Sequence, residues 1–193
     1  MSGDFDRALA TGKVAEGRIA RCFMAHGYSV MPVYEIEKAH GKGPQVFTLA
    51  RELVAPDMLV FKDGAAWIEA KHKTVFSWHF RTECWTTGID LRHYADYLTL
   101  EDQSPWPVWL MFLHVRHTPD ERDIKNGCPE SCPTGLFANS LAYLRKHEHH
   151  TCPPGNGNGG WGRSGMVYWS ASNLRLITPL SKVPESANLV CAP

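Results

Sequence analysis

The sequence has no net charge and no long apolar run. Its 193 residues contain 20 Lys plus Arg and 20 Asp plus Glu. A protein that coats nucleic acid through its overall charge is therefore disfavoured, and any nucleic-acid surface must be a local patch. The longest apolar run, VWLMFLHV at 108–115, is far too short to span a bilayer. The opening MSGDFDRALA is acidic and polar, unlike a secretory signal. We therefore expect a cytoplasmic protein without membrane contact.

The apolar residues alternate between helical and strand periodicity along the chain, which is typical of a mixed α/β domain. Helices are predicted at 4–26 (ending at Gly27), 86–102 and 136–147. Strands are predicted at 28–37, on both sides of the KDG turn, at 106–115, and at MVYWS and LRLIT near the end. This order predicts a mixed central sheet flanked by helices. Residues 1–117 form its core, and 118–193 form a loop-rich elaboration of the same domain.

The segment APDMLVFKDGAAWIEAKHK, residues 55–73, places charges at the ends of two apolar runs. In a hairpin, Asp57 at the start of the first strand would lie beside Glu69 near the end of the second. Two carboxylates so placed repel unless a cation lies between them, and hard oxygen ligands suit Mg²⁺ or Mn²⁺. Lys71 shares a strand face with Glu69 because they are two residues apart. The alternative is that Asp57 caps a turn and that Glu69 and Lys71 form a solvated pair.

The spacing of these residues resembles the signature of the PD-(D/E)XK nuclease superfamily, since PD is followed after eleven residues by EAK. Upstream, Glu16 in GKVAEG resembles the glutamate that many members supply from their first helix. The resemblance implies a restriction-endonuclease-like fold with an αβββαβ core. It also implies a metal-dependent enzyme that hydrolyses DNA phosphodiester bonds.

The roles implied by the resemblance can be assigned residue by residue. Asp57 and Glu69 would hold Mg²⁺ or Mn²⁺, with the carbonyl oxygen of Ala70 as an additional ligand. Glu16 would reach the metal directly or through water. Lys71 would position the attacking water or stabilise the transition state. All four side chains, Glu16, Asp57, Glu69 and Lys71, are therefore candidate catalytic residues.

Three functions remain open within this resemblance. Some exonuclease-like members carry a glutamine and a tyrosine four residues apart on the second helix, where this chain has Asp90 and Tyr94. An endonuclease acting on branched or structured DNA is therefore favoured, and cleavage of a junction would need a homodimer. The alternatives are a restriction-type, sequence-selective endonuclease and a non-catalytic member that binds nucleic acid or protein. The small size suits a phage or mobile-element enzyme.

Basic and aromatic residues surround the proposed site and could hold phosphates or stack on bases. The alternative is that VFSWHF, residues 75–80, simply packs on the core. The candidate DNA contacts are His72, Lys73, His79, Arg81, Arg92, Trp161 and Arg163.

The six cysteines are expected to be thiols or metal ligands rather than disulfides. In the tail, CPESC and HEHHTC bring cysteines and histidines into two loop-like segments, which suits a structural, tetrahedral zinc site. The alternative is that these residues are scattered and bind no metal. The candidate zinc ligands are Cys128, Cys132, His147, His150 and Cys152.

Overall fold

The computed structural model describes residues 2–33, 44–154 and 164–185, with side chains from residue 10 onward. It is a mixed α/β structure that is rich in strands. The helices are α1 (Ser2–Ala25), α2 (Leu91–Gln103), α3 (Glu121–Lys125) and α4 (Leu141–Leu144), with 3₁₀ turns at Ala171–Asn173 and Leu180–Lys182. The strands are β1 (Ser29–Pro32), β2 (Gln45–Phe47), β3 (Glu52–Val54), β4 (Met58–Phe61), β5 (Ala65–Lys73), β6 (Ser77–His79), β7 (Cys84–Asp90), β8 (Val108–His114), β9 (Gly135–Ser140), β10 (His150–Cys152), β11 (Met166–Ser170) and β12 (Arg175–Thr178).

Helix α1 buries one face against the main sheet. Ala15, Ile19 and Cys22 recur at helical spacing and are almost fully buried. They pack with residues of β4 and β5 in one hydrophobic cluster. The helix ends at Gly27, as predicted, because that residue takes a positive φ of 78° and the N–H of Tyr28 donates to the carbonyl of Phe23 at 3.1 Å.

The main sheet has six strands in the order β1-β4-β5-β8-β9-β12. β4 and β5 form the predicted antiparallel hairpin, and β8 runs parallel to β5 after a crossover that contains α2. Strand β1, which contains Pro32, lies at one edge, where a missing N–H is tolerated. The predicted strand at 28–37 is confirmed as far as Pro32, and its last residues lie outside the described ranges.

The tail is less loop-like than its composition suggested, because its strands complete both larger sheets. β9 and β12 extend the main sheet beyond β8. A second sheet has the order β10-β11-β7-β6, so two tail strands pair with a hairpin from the first half of the chain. A separate pair, β2 and β3, forms a small hairpin.

Two helix predictions were partly wrong because a strand takes the first five residues of each segment. In 86–102, the residues up to Asp90 belong to β7, where Thr86, Thr87 and Ile89 favour an extended backbone. Helix α2 starts only at Leu91, after the Asp90 side chain accepts a hydrogen bond from the N–H of Arg92 at 2.8 Å.

In 136–147, the first residues form β9, and the helix is only the short α4, capped by Ser140. Leu136, Phe137 and Ala138 are all buried between two neighbouring strands. A strand buried on both faces shows no alternation, so a short apolar run does not distinguish it from a helix.

His114, at the end of β8, is a core residue. Its side chain is fully buried, and its ring stacks on Phe76 with centroids 3.5 Å apart. Among the described residues, neither ring nitrogen has a hydrogen-bond partner. Burial, together with the charge of Lys73, lowers the pKa of His114 to about 3.

We expect His114 to make the fold sensitive to acid. The unfolded chain takes up a proton near pH 6.5, whereas the folded chain resists it until about pH 3. Stability is therefore lost as the pH falls through this interval. Between pH 7 and pH 4 the loss is about 3 kcal/mol. His114→Phe should remove this loss, which urea unfolding at several pH values would measure. Phe76→Leu, which does not titrate, should lower stability equally at each pH, and parallel curves for the native protein and His114→Phe would contradict the expectation.

Candidate active site

The β4–β5 hairpin brings Asp57 against the second half of β5. The antiparallel register pairs Met58 with Ile68, so Asp57, one residue earlier, lies opposite Glu69. Oδ2 of Asp57 accepts a hydrogen bond from the N–H of Ala70 at 2.8 Å. This bond fixes the carboxylate across the strand that carries the other charged residues.

Glu69 and Lys71 project from the same face of β5 and form an ion pair between Oε1 and Nζ. The Glu69 side chain is 1% exposed and that of Lys71 is 28% exposed, so the pair is not the solvated surface pair of the alternative interpretation. The second oxygen of Glu69, Oε2, is buried and lacks a hydrogen-bond partner in the part of the chain that the structure describes. A buried carboxylate oxygen without a partner is costly unless a cation or water satisfies it.

The charges of this site act strongly on one another. Burial, followed by the negative charges of Glu69 and Glu16, raises the pKa of Asp57 well above its usual range, although Lys71 opposes the shift. Burial alone would lower the pKa of Lys71, but the carboxylates of Glu69 and Asp57 outweigh it and raise that pKa. The acidic groups therefore outnumber the single ammonium and favour a bound cation.

Glu16 joins this site from helix α1, which packs on β5. Its carboxylate is close enough to raise the pKa of both Asp57 and Lys71. The side chain is half-buried. All four predicted catalytic residues thus belong to one electrostatic cluster, even though Glu16 lies some forty residues upstream in the chain.

Helix α2 adds two residues to the site, of which the sequence suggested only His93, as a possible DNA contact. Tyr97 is 1% exposed, and burial together with the charge of Glu69 raises its pKa well above the usual range. Burial and the charge of Lys71 lower the pKa of His93. Their spacing of four residues, which aligns two side chains on one helix face, was the available signal. Tyr97 alone looked like one more apolar contact.

The residues present fit a hard divalent cation. Glu16, Asp57 and Glu69 offer carboxylate oxygens, and Oε2 of Glu69 is buried without a hydrogen-bond partner among the described residues. Mg²⁺ and Mn²⁺ prefer such oxygen ligands and are usually held by one or two carboxylates, leaving other positions to water and phosphate.

Protein-family models, curated proteins and solved structures all gave no match to this chain. The assignment of the site therefore depends on its geometry and on the sequence signature.

The predicted DNA contacts that the structure describes lie on several different elements. His72 and Lys73 continue β5 directly after Lys71, and burial together with the Lys71 charge lowers the pKa of Lys73 to about 8. Arg92 is exposed on α2, and Arg81 is exposed in the turn after β6. The remaining predicted contacts are His79, which ends β6, and Trp161 and Arg163, which lie outside the described residues.

The structure does not bring the predicted zinc ligands together as one group. Cys132 is buried and donates its S–H to the carbonyl of Arg116, whereas Cys152 is exposed on β10. His147 stacks on Tyr143, four residues earlier, with centroids 4.0 Å apart. Of the predicted ligands, only His150 lies in a cluster of metal-binding side chains among the described residues, and its partners there are His79 and His149. The described cysteines, Cys22, Cys84, Cys128, Cys132 and Cys152, are free thiols, as predicted.

The helices of the described residues are all too short or too polar to cross a membrane.

Proposed function

We propose that this protein is a metal-dependent nuclease of the PD-(D/E)XK type that hydrolyses DNA phosphodiester bonds. The observation that carries the proposal is the β4–β5 hairpin. It holds Asp57 against the Ala70 N–H and leaves a buried oxygen of Glu69 without a partner within the described chain, beside the ammonium of Lys71. A site retained only for stability would gain nothing from this concentration of buried charge.

The topology supports the same proposal. Without the two inserted hairpins, β2–β3 and β6–β7, the elements follow the order α1, β1, β4, β5, α2 and β8. This is the αβββαβ order that the sequence resemblance implies. The parallel pairing of β5 with β8 places the residues after Glu69 in the middle of the main sheet.

Each residue would have a distinct part in hydrolysis. Asp57, Glu69 and the carbonyl oxygen of Ala70 would hold Mg²⁺ or Mn²⁺, and Glu16 would complete the set directly or through water. The bound metal would supply Lewis acidity and an activated water. The Lys71 ammonium would then orient that water and offset the negative charge that develops on the phosphate.

An endonuclease acting on branched or structured DNA fits the second helix better than a processive exonuclease. Asp90 caps α2 and also accepts a hydrogen bond from the hydroxyl of Ser164. Tyr94 is 5% exposed, and its hydroxyl donates to Glu148 at 2.5 Å. Both residues thus have structural partners at the positions where exonuclease-like members carry their glutamine and tyrosine. Symmetrical cleavage of a junction would require a homodimer.

The proposal is tested by incubating the purified protein with linear duplex, single-stranded and four-way-junction DNA, in Mg²⁺ or in EDTA. We expect cleavage only with the metal, and faster cleavage of the junction than of the linear duplex. Lys71→Met should lose this activity by at least about 1000-fold, since catalytic groups of such sites typically contribute that much. Lys62→Met changes an exposed lysine of the β4–β5 turn and should leave the activity unchanged.

The absence of metal-dependent cleavage of all three DNAs would overturn the proposal and favour a non-catalytic binding protein. Cleavage of linear duplex at one defined sequence would instead support the restriction-type alternative. Equal activity of Lys71→Met and Lys62→Met would contradict the role given to Lys71.

A further inference from the structure

Three histidines from distant parts of the chain meet on the second sheet. His79 ends β6, His150 begins β10, and His149 directly precedes it. One candidate ligand atom from each lies within 4.8 Å of the others. We call His79, His149 and His150 the histidine cluster. It joins two edge strands, β6 and β10, of the same four-stranded sheet.

The three rings of the histidine cluster lie close to one another. Their centroids are 4.6 Å apart for His79 and His150, 4.8 Å for His79 and His149, and 5.0 Å for His149 and His150. The Nδ1 atoms of His149 and His150 are only 2.7 Å apart. Two ring nitrogens at this distance share one proton in a hydrogen bond, and a cation bound between the rings can take the place of that proton.

A fourth ligand is available beside the cluster. The thiol of Cys84, the residue paired with His79 in the β6–β7 hairpin, lies 3.6 Å from Nε2 of His149. The same nitrogen is 3.0 Å from the hydroxyl of Thr82. Zinc in structural sites is bound tetrahedrally by histidine nitrogens and cysteine thiolates at about 2.0–2.3 Å, so neighbouring ligand atoms lie roughly 3–4 Å apart. The three histidines already offer ligand atoms within 4.8 Å of one another. Cys84 lies beside Nε2 of His149 and His150 beside Nδ1, so rotation of the His149 ring and the Cys84 side chain is needed to bring the thiol into the same group.

The surroundings orient two of the histidines before any ion binds. The ring of His150 stacks on Tyr168 of β11, with centroids 4.5 Å apart and an angle of 2° between planes. Nδ1 of His79 lies 2.7 Å from the hydroxyl of Thr82. Each of the three histidines is half-buried. A ring that is already held in place loses less conformational entropy when it coordinates a metal. Contacts of this kind with the ligating side chains therefore raise metal affinity.

We propose that His79, His149, His150 and Cys84 bind one zinc ion that joins the β6–β7 hairpin to β10. The ligand set consists of imidazoles and a thiol, which select zinc over Mg²⁺ or Ca²⁺. The ion is structural, because all four coordination positions are taken by the protein. This proposal does not depend on the nuclease activity, and it shares only His150 with the ligand set predicted from the sequence.

The test uses the full chain after treatment with a chelator, followed by titration with Co²⁺ and then Zn²⁺. We expect one equivalent of Co²⁺ to give the intense visible bands of a tetrahedral site, together with a thiolate-to-metal band in the near ultraviolet. One equivalent of Zn²⁺ should then remove both signals. Cys84→Ser should lose the ultraviolet band and keep visible bands. His149→Ala and His79→Asn should each weaken Zn²⁺ binding by at least about 100-fold, more than the loss of an outer contact.

Matched variants distinguish the histidine cluster from two other possible zinc sites, the cysteines and histidine predicted from the sequence and the carboxylate site around Asp57. His147→Asn and the triple change of Cys128, Cys132 and Cys152 to serine should leave binding unchanged, whereas loss of binding in either would overturn the proposal. Asp57→Asn should also bind zinc normally, so its failure to bind would place the ion at the carboxylate site and refute the inference. Circular dichroism identifies a variant that fails to fold. If His149→Ala fails to fold, the Zn²⁺ affinity of His79→Asn is the deciding measurement. Full Zn²⁺ affinity in a folded His79→Asn would refute the inference.

Discussion

We expect Asp57→Asn to abolish metal-dependent DNA cleavage and at the same time to stabilise the metal-free protein. Activity should fall by at least about 1000-fold, because an amide is a poor ligand for Mg²⁺ and the metal would lose a charged partner. Stability in EDTA should rise by about 0.5–2 kcal/mol, the usual size of a single stabilising change. The asparagine side-chain oxygen can still accept the hydrogen bond from the Ala70 N–H.

The gain in stability follows from the electrostatics of the site. Burial and the charges of Glu69 and Glu16 raise the pKa of Asp57 in the folded protein. The folded protein therefore binds this proton more tightly than the unfolded chain does. Protonation of Asp57 therefore stabilises the folded protein. This contribution is complete below the pKa of Asp57 in the unfolded chain and is lost as the pH rises through its pKa in the folded protein. The stability advantage of Asp57→Asn in EDTA should accordingly grow with increasing pH.

Mg²⁺ should reverse the order of stability. A ligand present at 100 times its dissociation constant stabilises the folded state by about 2.7 kcal/mol. The native protein should show this increase, and Asp57→Asn should not. Asp63→Asn makes the same chemical change on the exposed β4–β5 turn and serves as the control for both measurements. Cleavage by Asp57→Asn at the native rate, or a loss of stability in EDTA, would contradict the interpretation.

The sequence predicted the residues of the site that the geometry of one hairpin brings together. Asp57 directly precedes β4, and Glu69 and Lys71 lie on β5. A three-residue turn joins the two strands, so the register of one hairpin is sufficient to bring the three residues together. Helical periodicity likewise placed Glu16 on a helix before the sheet. Its approach to Asp57 then required only that α1 pack on β5.

The residues that the sequence missed are those that long connections bring together. Tyr97 approaches Glu69 only because the crossover packs α2 against the sheet, and apolar periodicity does not show which helical residue faces a charge. The histidine cluster shows the same limit. His79 and His149 are 70 positions apart, and the sheet order that joins them depends on the pairing of β11 with β7. Proximity in sequence instead grouped His147 and His150 with the cysteines of the tail.

Gly88→Val should be among the most destabilising single changes in the chain. Gly88 lies in the middle of β7 and pairs with Tyr168 of β11. A Cβ atom at this position would lie 2.2 Å from the carbonyl oxygen of Val167 and 2.9 Å from the Tyr168 ring. Since backbone cannot move aside as a flexible side chain can, β7 and β11 would have to separate. We expect a loss of at least about 3 kcal/mol, at the upper end of the cost of overpacking.

Gly88→Val should also affect metal binding by the histidine cluster. Tyr168 covers the glycine on one side and stacks on His150 on the other, so displacing its ring would also disturb the histidine cluster. Urea unfolding should therefore show the large loss for Gly88→Val, and the chelator-treated variant should bind Co²⁺ more weakly than the native protein. Gly64→Ala is the matched control, because no described atom lies within 4 Å of its would-be Cβ and its stability should change by less than about 0.5 kcal/mol. Equal stability of the two variants would mean that β7 and β11 are not paired in this register, and the second sheet would then not bring His79 and His150 together.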